Sequence, residues 1–296
     1  MRELPLARGA LRASLSAEDI ERRPRLASCI RQQARALSSI QERNPRIAAI
    51  FATQQRWLLA HLALSIHFRA VAGGAADDLR PSIFIAAARA HGVASRNTAD
   101  AFMKEMLKYG YAEPVPTGAD RRVRSFAVAE FAVQTLAAWL VVHLTTLDAL
   151  DDGSRREAFL ADPARIAEIQ PRIADGLLSS AAIRDPTPSF SLFTWLNEGG
   201  VVMDWLCAGL ADAPSDTERI PTSVASLADI GERIRLSRSQ LYRKLRMAES
   251  MGSLGWTGER GNSRMWVSAA FLDEYYAQQA AKLAIIDRAF HESGSS

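Results

Sequence analysis

The chain has 296 residues, 48% apolar and 23% charged with a net charge of +3, which excludes a wholly disordered or collagen-like polypeptide and is enough for two domains with cores of their own. Its two cysteines, Cys29 and Cys207, form no CxxC or Cys/His group, which argues against a disulfide framework or a zinc site and fits a reducing cytoplasm. The charge is uneven: residues 1 to 46 hold ten arginines against five acids, residues 145 to 220 are net acidic, and residues 231 to 264 hold eight bases against three acids, so the basic stretches are where a polyanionic partner is expected.

Taken in chain order, the opening MRELPLARGALRASL is broken by arginine too often for a secretory signal, and the mature chain is expected to begin near Met1. Asn44-Pro45 reads as a turn and helix start, followed by a long helix over roughly Arg46 to Val71 that Gly73-Gly74 ends. A shorter helix is expected within Ala94 to Tyr111. Tyr111 to Val128 then reads as a hairpin with Asp120, Arg121, Arg122 and Arg124 at or near its tip. Phe131 to Leu150 is about long enough to span a bilayer. Its Gln134, His143, Thr145, Thr146 and Asp148 favour a packed interface helix instead, because those groups are costly in lipid.

The second half repeats this punctuation. Asp185-Pro186 opens a helix expected over Ser189 to Ala211, which Ala213-Pro214 ends. Ile230 to Leu245 reads as a short helix, a tight turn at Arg235 to Ser237 and a second helix capped by Ser237. Leu254 to Trp256 and Arg264 to Val267 are β-prone and bracket TGERGNS, a hairpin turn. A terminal helix is expected over Phe271 to Phe290.

The likeness between the halves extends to residues. Leu37, Ser38, Ser39, Arg43 and Pro45 recur 141 positions later, and Ser95, Arg96, Gly110 and Arg122 recur 142 positions later. Leu241, Leu245, Ala248 and Met251 follow helical spacing and match Ala99, Met103, Met106 and Tyr109, all apolar. These offsets divide the chain into two mostly helical units, residues 1–150 and 151–296.

In the second unit the later helix offers Arg238, Ser239, Gln240, Tyr242, Arg243 and Arg246 as a cationic, hydrogen-bonding face, with Leu241 and Leu245 inward. Arginine suits guanine and glutamine suits adenine in a major groove, while the helix N-terminus and Lys244 suit phosphates. Arg260 and Arg264 lie on the hairpin that follows. The first unit offers Ser95, Arg96, Asn97 and Lys104, with Arg121, Arg122 and Arg124 on its hairpin. At the position of Tyr242 it has Asp100, so its face is less basic and the second unit is expected to bind more strongly.

Helix, Gly110-Tyr111, a short strand and an Asp-Arg-Arg hairpin together resemble the winged-helix repressors of the MarR family. The resemblance implies a fold that is mainly α with small β-wings. It implies recognition helices beginning at Ser95 and Ser237, and Arg121 or Arg122, and by equivalence Arg264, in the adjacent minor groove. MarR-like proteins are homodimers joined through terminal helices, so tandem units in one chain are expected to be related by pseudo-two-fold symmetry. Such proteins also often bind phenolic or other small ligands, for which Trp57, Trp139, Trp195 and Trp205 are candidates beside their ordinary role as core.

The expected function is a sequence-specific double-stranded DNA-binding transcriptional regulator, cytoplasmic and nucleoid-associated, with a small-molecule effector. A plasmid-type replication initiator and an interaction scaffold with degenerate units stand as alternatives. The sequence carries no GxxxxGK, HExxH, GxSxG or GxGxxG motif, so no enzymatic activity, cofactor or metal is expected. The histidines lack ligand spacing and read as ordinary helix residues. Cys29 and Cys207 are candidates for sensing oxidants.

Overall fold

The computed structural model describes residues 13–43, 53–74, 79–115, 125–187, 189–191, 199–211, 217–226 and 238–294. Short polar residues set the helix starts. Ser16 caps α1 (Ala17–Glu21) by accepting from the Asp19 backbone, while the Asp19 carboxylate accepts from the Ser16 backbone. After α2 (Leu26–Arg43), Thr53 caps α3 (Gln54–Ala72). The expected helix start near Arg46 lies outside the described residues. Pro81 supplies the first turn of α4 (Pro81–Ala90), and Ser95 caps α5 (Arg96–Lys108), accepting from Thr98.

The hairpin expected after α5 is present as β1 (Ala112–Val115) antiparallel to β2 (Ser125–Val128). The long helix α6 (Glu130–Asp151) follows, then α7 (Arg155–Ala161), α8 (Ile166–Ser179), α9 (Ala181–Arg184) and α10 (Gly199–Ala208). Of the helix expected over Ser189 to Ala211, residues 192–198 lie outside the described residues. β3 (Arg219–Pro221) precedes α11 (Arg238–Ser250), which is followed by β4 (Leu254–Trp256), β5 (Met265–Ser268) and the terminal α12 (Ala269–Glu292). Among the described residues the fold is thus mainly helical with two small antiparallel sheets.

Several features recur along the chain. α5 and α11 each span 13 residues, and each runs into a glycine with left-handed backbone, Gly110 at φ 75° and Gly252 at φ 71°. After each, the chain closes the helix in the same way. Gly110 N donates to Leu107 O and Tyr111 N to Met106 O, while Gly252 N donates to Glu249 O and Ser253 N to Ala248 O. These bonds satisfy carbonyls that a helix end otherwise leaves open, and glycine bears the positive φ at least cost. In the three-stranded sheet β5 is central, with β3 on one side and β4 on the other. In the first half β2 pairs with β1, and Leu79 bridges Phe126 of β2.

Packing links the halves. α2 packs on α10 and α8 on α3, while α1 packs on α12 and α7 on α6. Leu59, Leu144, Leu177 and Leu283, all fully buried, belong to one hydrophobic cluster that continues across the division at residue 150. Among the described residues α6 alone is long and apolar enough to cross a membrane. In this fold Leu136, Leu140, His143, Leu144, Leu147 and Leu150 of that helix are buried within the protein.

Candidate nucleic-acid interface

The apolar positions of α5 and α11 fix which faces look outward. Ala99, Phe102, Met103 and Met106 bury one side of α5, and Leu245 and Ala248 bury the matching side of α11. The fourth position of the expected apolar stripe does not follow: Tyr109 and Met251 are both 47% exposed, each being the first residue past the end of its helix. On the outer face of α5, Ser95, Arg96, Asn97 and Lys104 are exposed. Lys104 Nζ lies 2.7 Å from Asp100 Oδ2, and Arg56 pairs with Glu105, so acids on this helix neutralise nearby cations.

The outer face of α11 carries Tyr242, Arg243 and Arg246, all exposed. Arg238, Ser239 and Gln240 form its first turn. The side chains of these three, together with Ser237, Arg121, Arg122 and Arg124, lie outside the described residues. Arg264 is exposed at the base of the β4–β5 turn, where its carbonyl accepts from the Thr257 backbone. Gly261, at φ 81°, forms part of that turn.

Arg260 is engaged by the protein rather than extended into solvent. Its Nε donates to Glu249 Oε2 at 2.8 Å, and its guanidinium stands 4.2 Å from the centre of the Tyr242 ring. The Glu249 hydrogen bond holds the guanidinium pKa above its ordinary value despite partial burial. Trp256 Nε1 donates to the same carboxylate at 2.9 Å. Glu249 therefore fastens the β4–β5 hairpin to α11, and Tyr242 is a platform for Arg260 on one face.

Behind α5 lies a cavity of about 330 Å³, walled by α3, α5, α6, α10 and α12. Trp57 and Trp139 are on its wall, with His61 between them at ring-centre distances of 4.8 and 5.2 Å. Trp205 is partly buried against the core, and Trp195 lies outside the described residues. The polar groups on the wall include Asp204, Tyr275 and Lys282, with Tyr275 Oη donating to Asp204 Oδ1 at 2.9 Å. Burial pulls Lys282 down to about 8, opposed by Asp204, and pushes Asp204 up to about 6, opposed by Lys282 and Tyr275.

Sequence reasoning did not single out these polar groups. Their signal was a charge standing alone in apolar surroundings, as Asp204 in VVMDWLC and Lys282 in AAKLAII. Both cysteines are buried, and burial raises both thiols, Cys207 to about 12. That environment suppresses the thiolate an oxidant-sensing cysteine needs. Comparison of the chain with protein-family models, curated proteins and solved structures finds no match.

Proposed function

We propose that this chain is a sequence-specific double-stranded DNA-binding transcriptional regulator, built from two winged helix-turn-helix units related by pseudo-two-fold symmetry. The observation that carries this reading is the recurrence of one ordered set: a 13-residue helix, a left-handed glycine, a β-hairpin and a long helix, at α5–α6 and again at α11–α12. Strand order supports it, since the strand before α11 lies beside the last hairpin strand in the second unit, and Leu79, before α4 and α5, takes that place in the first. The packing is reciprocal, α2 on α10 as α8 on α3, and α1 on α12 as α7 on α6. A two-fold relation between units gives such exchange, each unit's leading helices covering the other's later ones.

The second unit is the stronger reader in this proposal. Arg243 and Arg246 stand free on the outer face of α11, with Arg264 on the adjoining hairpin, whereas Asp100 binds Lys104 on α5. Fluorescence anisotropy with duplexes selected from random sequence tests the reading. The expected result is a preferred sequence bound with an affinity that falls steeply with salt. Absence of any salt-dependent duplex binding would leave an interaction scaffold as the better account.

A further inference from the structure

Tyr242 is 43% exposed on α11, yet its ring is held from one side. Glu249 lies two helical turns further along the same face, and its carboxylate oxygens accept from Arg260 Nε at 3.0 and 2.8 Å. Arg260 Cζ then stands 4.2 Å from the centre of the Tyr242 ring, so a guanidinium fastened at its far edge covers one face of the phenol. Glu249 and Arg260 together add no net charge.

The covered face leaves the opposite face of the ring to meet a partner. An aromatic face has no strong donor or acceptor, so another apolar group suits it best. In a B-form major groove the base edges offer one such group, the C5-methyl of thymine. A ring already set by Arg260 loses little rotamer freedom on making that contact. Arg243 and Arg246, exposed on the same helix, supply hydrogen bonds to neighbouring base edges and phosphates.

The first unit lacks this arrangement. It has Asp100 at the position of Tyr242, Leu107 in place of Glu249 and Gly118 in place of Arg260, each 142 positions earlier. The carboxylate at the matching position also bears on which part of a duplex that position meets. Against a phosphate Asp100 would be repelled. Against base edges both residues have a use, since a carboxylate accepts from an amino group and a ring covers a methyl.

We propose that Tyr242, held by Arg260 and Glu249, reads the C5-methyl of a thymine in the half-site addressed by α11. Arg260 and Glu249 are positioning residues, which set the ring and touch no base. The assignment rests on the DNA-binding reading of the chain and adds to it one base and one atom group.

The test uses the full chain and the preferred duplex recovered by selection, with each thymine replaced in turn by deoxyuridine, a change that removes the methyl and keeps the base pair. At one thymine of the tighter half-site, uracil is expected to weaken binding about fourfold, the worth of one buried methyl group. Tyr242→Ala, at an exposed position, should bring thymine and uracil to equal affinity there. Arg260→Ala should lower the same ratio toward one, whatever it does to the hairpin, whereas a purely structural arginine would weaken both duplexes alike and leave the ratio intact. Salt-dependent binding with uracil tolerated at every position, a uracil penalty that survives Tyr242→Ala, or an unaltered ratio in Arg260→Ala would overturn the assignment and leave DNA binding standing. Absence of salt-dependent binding to any duplex would overturn the reading beneath it as well.

Discussion

Arg155 Nε donates to Asp287 Oδ1 at 2.6 Å, joining the first turn of α7 to the terminal helix α12 across 132 residues of sequence. Both side chains are nearly inaccessible, Arg155 at 5% and Asp287 at 0%. Asp151 takes the other edge of the guanidinium at 2.7 and 2.9 Å, and the Leu15 backbone donates to Asp287 Oδ2 at 2.7 Å. Burial opposes the arginine's charge, but the Asp151 and Asp287 hydrogen bonds outweigh it and hold the guanidinium pKa above its ordinary value. Removing the arginine strands the buried Asp151 and Asp287 carboxylates, so Arg155→Met is expected to cost about 3–5 kcal/mol. Urea unfolding measures it, and a loss under about 1 kcal/mol, the range of surface pairs, would show the cluster to be dispensable.

That cluster marks the limit of what the sequence made legible. α5, α11, α6 and α12 were readable because their apolar residues recur at helical spacing, and the hairpins because Gly and Asn stand between β-prone runs. Arg155 and Asp287 gave no local sign of each other, since nothing short of the fold brings residues 132 apart together. The Asp204–Tyr275 bond was hidden for the same reason. The sequence places Arg260 on the hairpin but gives no sign of its partner, because that partner is Glu249, eleven positions away on the preceding helix.

Glu249 accordingly separates two kinds of arginine. Arg243→Ala is expected to weaken DNA binding by roughly 1–3 kcal/mol if it reads a base, with thermal stability nearly unchanged. Arg260→Ala is expected to lower the melting temperature, since it releases the hairpin from α11. Anisotropy and melting curves on both variants check this. Unchanged DNA affinity in a folded Arg243→Ala chain would remove α11 from the interface.

Acid is expected to destabilise the protein through its histidines. Burial is the largest cause holding His61 and His143 below the ordinary value of 6.5, His61 down to about 3. As pH falls below about 6.5 the unfolded chain takes up protons that the folded chain refuses, so stability falls. Asp204 works the other way between about 6 and its ordinary 3.8, where the folded state is the one that takes up the proton. Two imidazoles against one carboxylate leave a net loss. His143→Leu should flatten the decline between pH 6.5 and 4.5 by up to about 1.4 kcal/mol per pH unit, the slope for one proton. Urea unfolding across that window measures it, and an identical decline in the variant would remove His143 from the account.

Asp204 and Lys282 are expected to lower stability as a pair. Each is held in the interior at a desolvation cost that the other only partly offsets. Removing one leaves the other alone, so Lys282→Met should destabilise the chain. Asp204→Asn/Lys282→Met should restore the stability of the unaltered protein or exceed it, because neither interior charge then has a desolvation cost. A double variant less stable than the unaltered protein would show that the charges contribute net stability.

Under the proposed function, the reciprocal packing of the halves sets an expected geometry for a bound duplex. If α6 and α12 meet about a pseudo-two-fold axis, as their contact allows, α5 and α11 address half-sites about one helical turn apart, near 10 base pairs. One chain then fills one site. The two readers differ, because Asp100 stands where α11 has Tyr242 and occupies Lys104, whereas Tyr242 supports Arg260. The preferred site should therefore be an imperfect inverted repeat whose tighter half belongs to α11. Asp100→Asn releases Lys104 and is expected to strengthen the weaker half, making the salt dependence steeper by about one counterion. Exchanging residues 96–104 for 238–246 should make the preferred site more symmetric. Hydroxyl-radical footprints with sedimentation of the complex decide the matter: protection of one half-site alone, or two chains required for any binding, would overturn the single-chain arrangement.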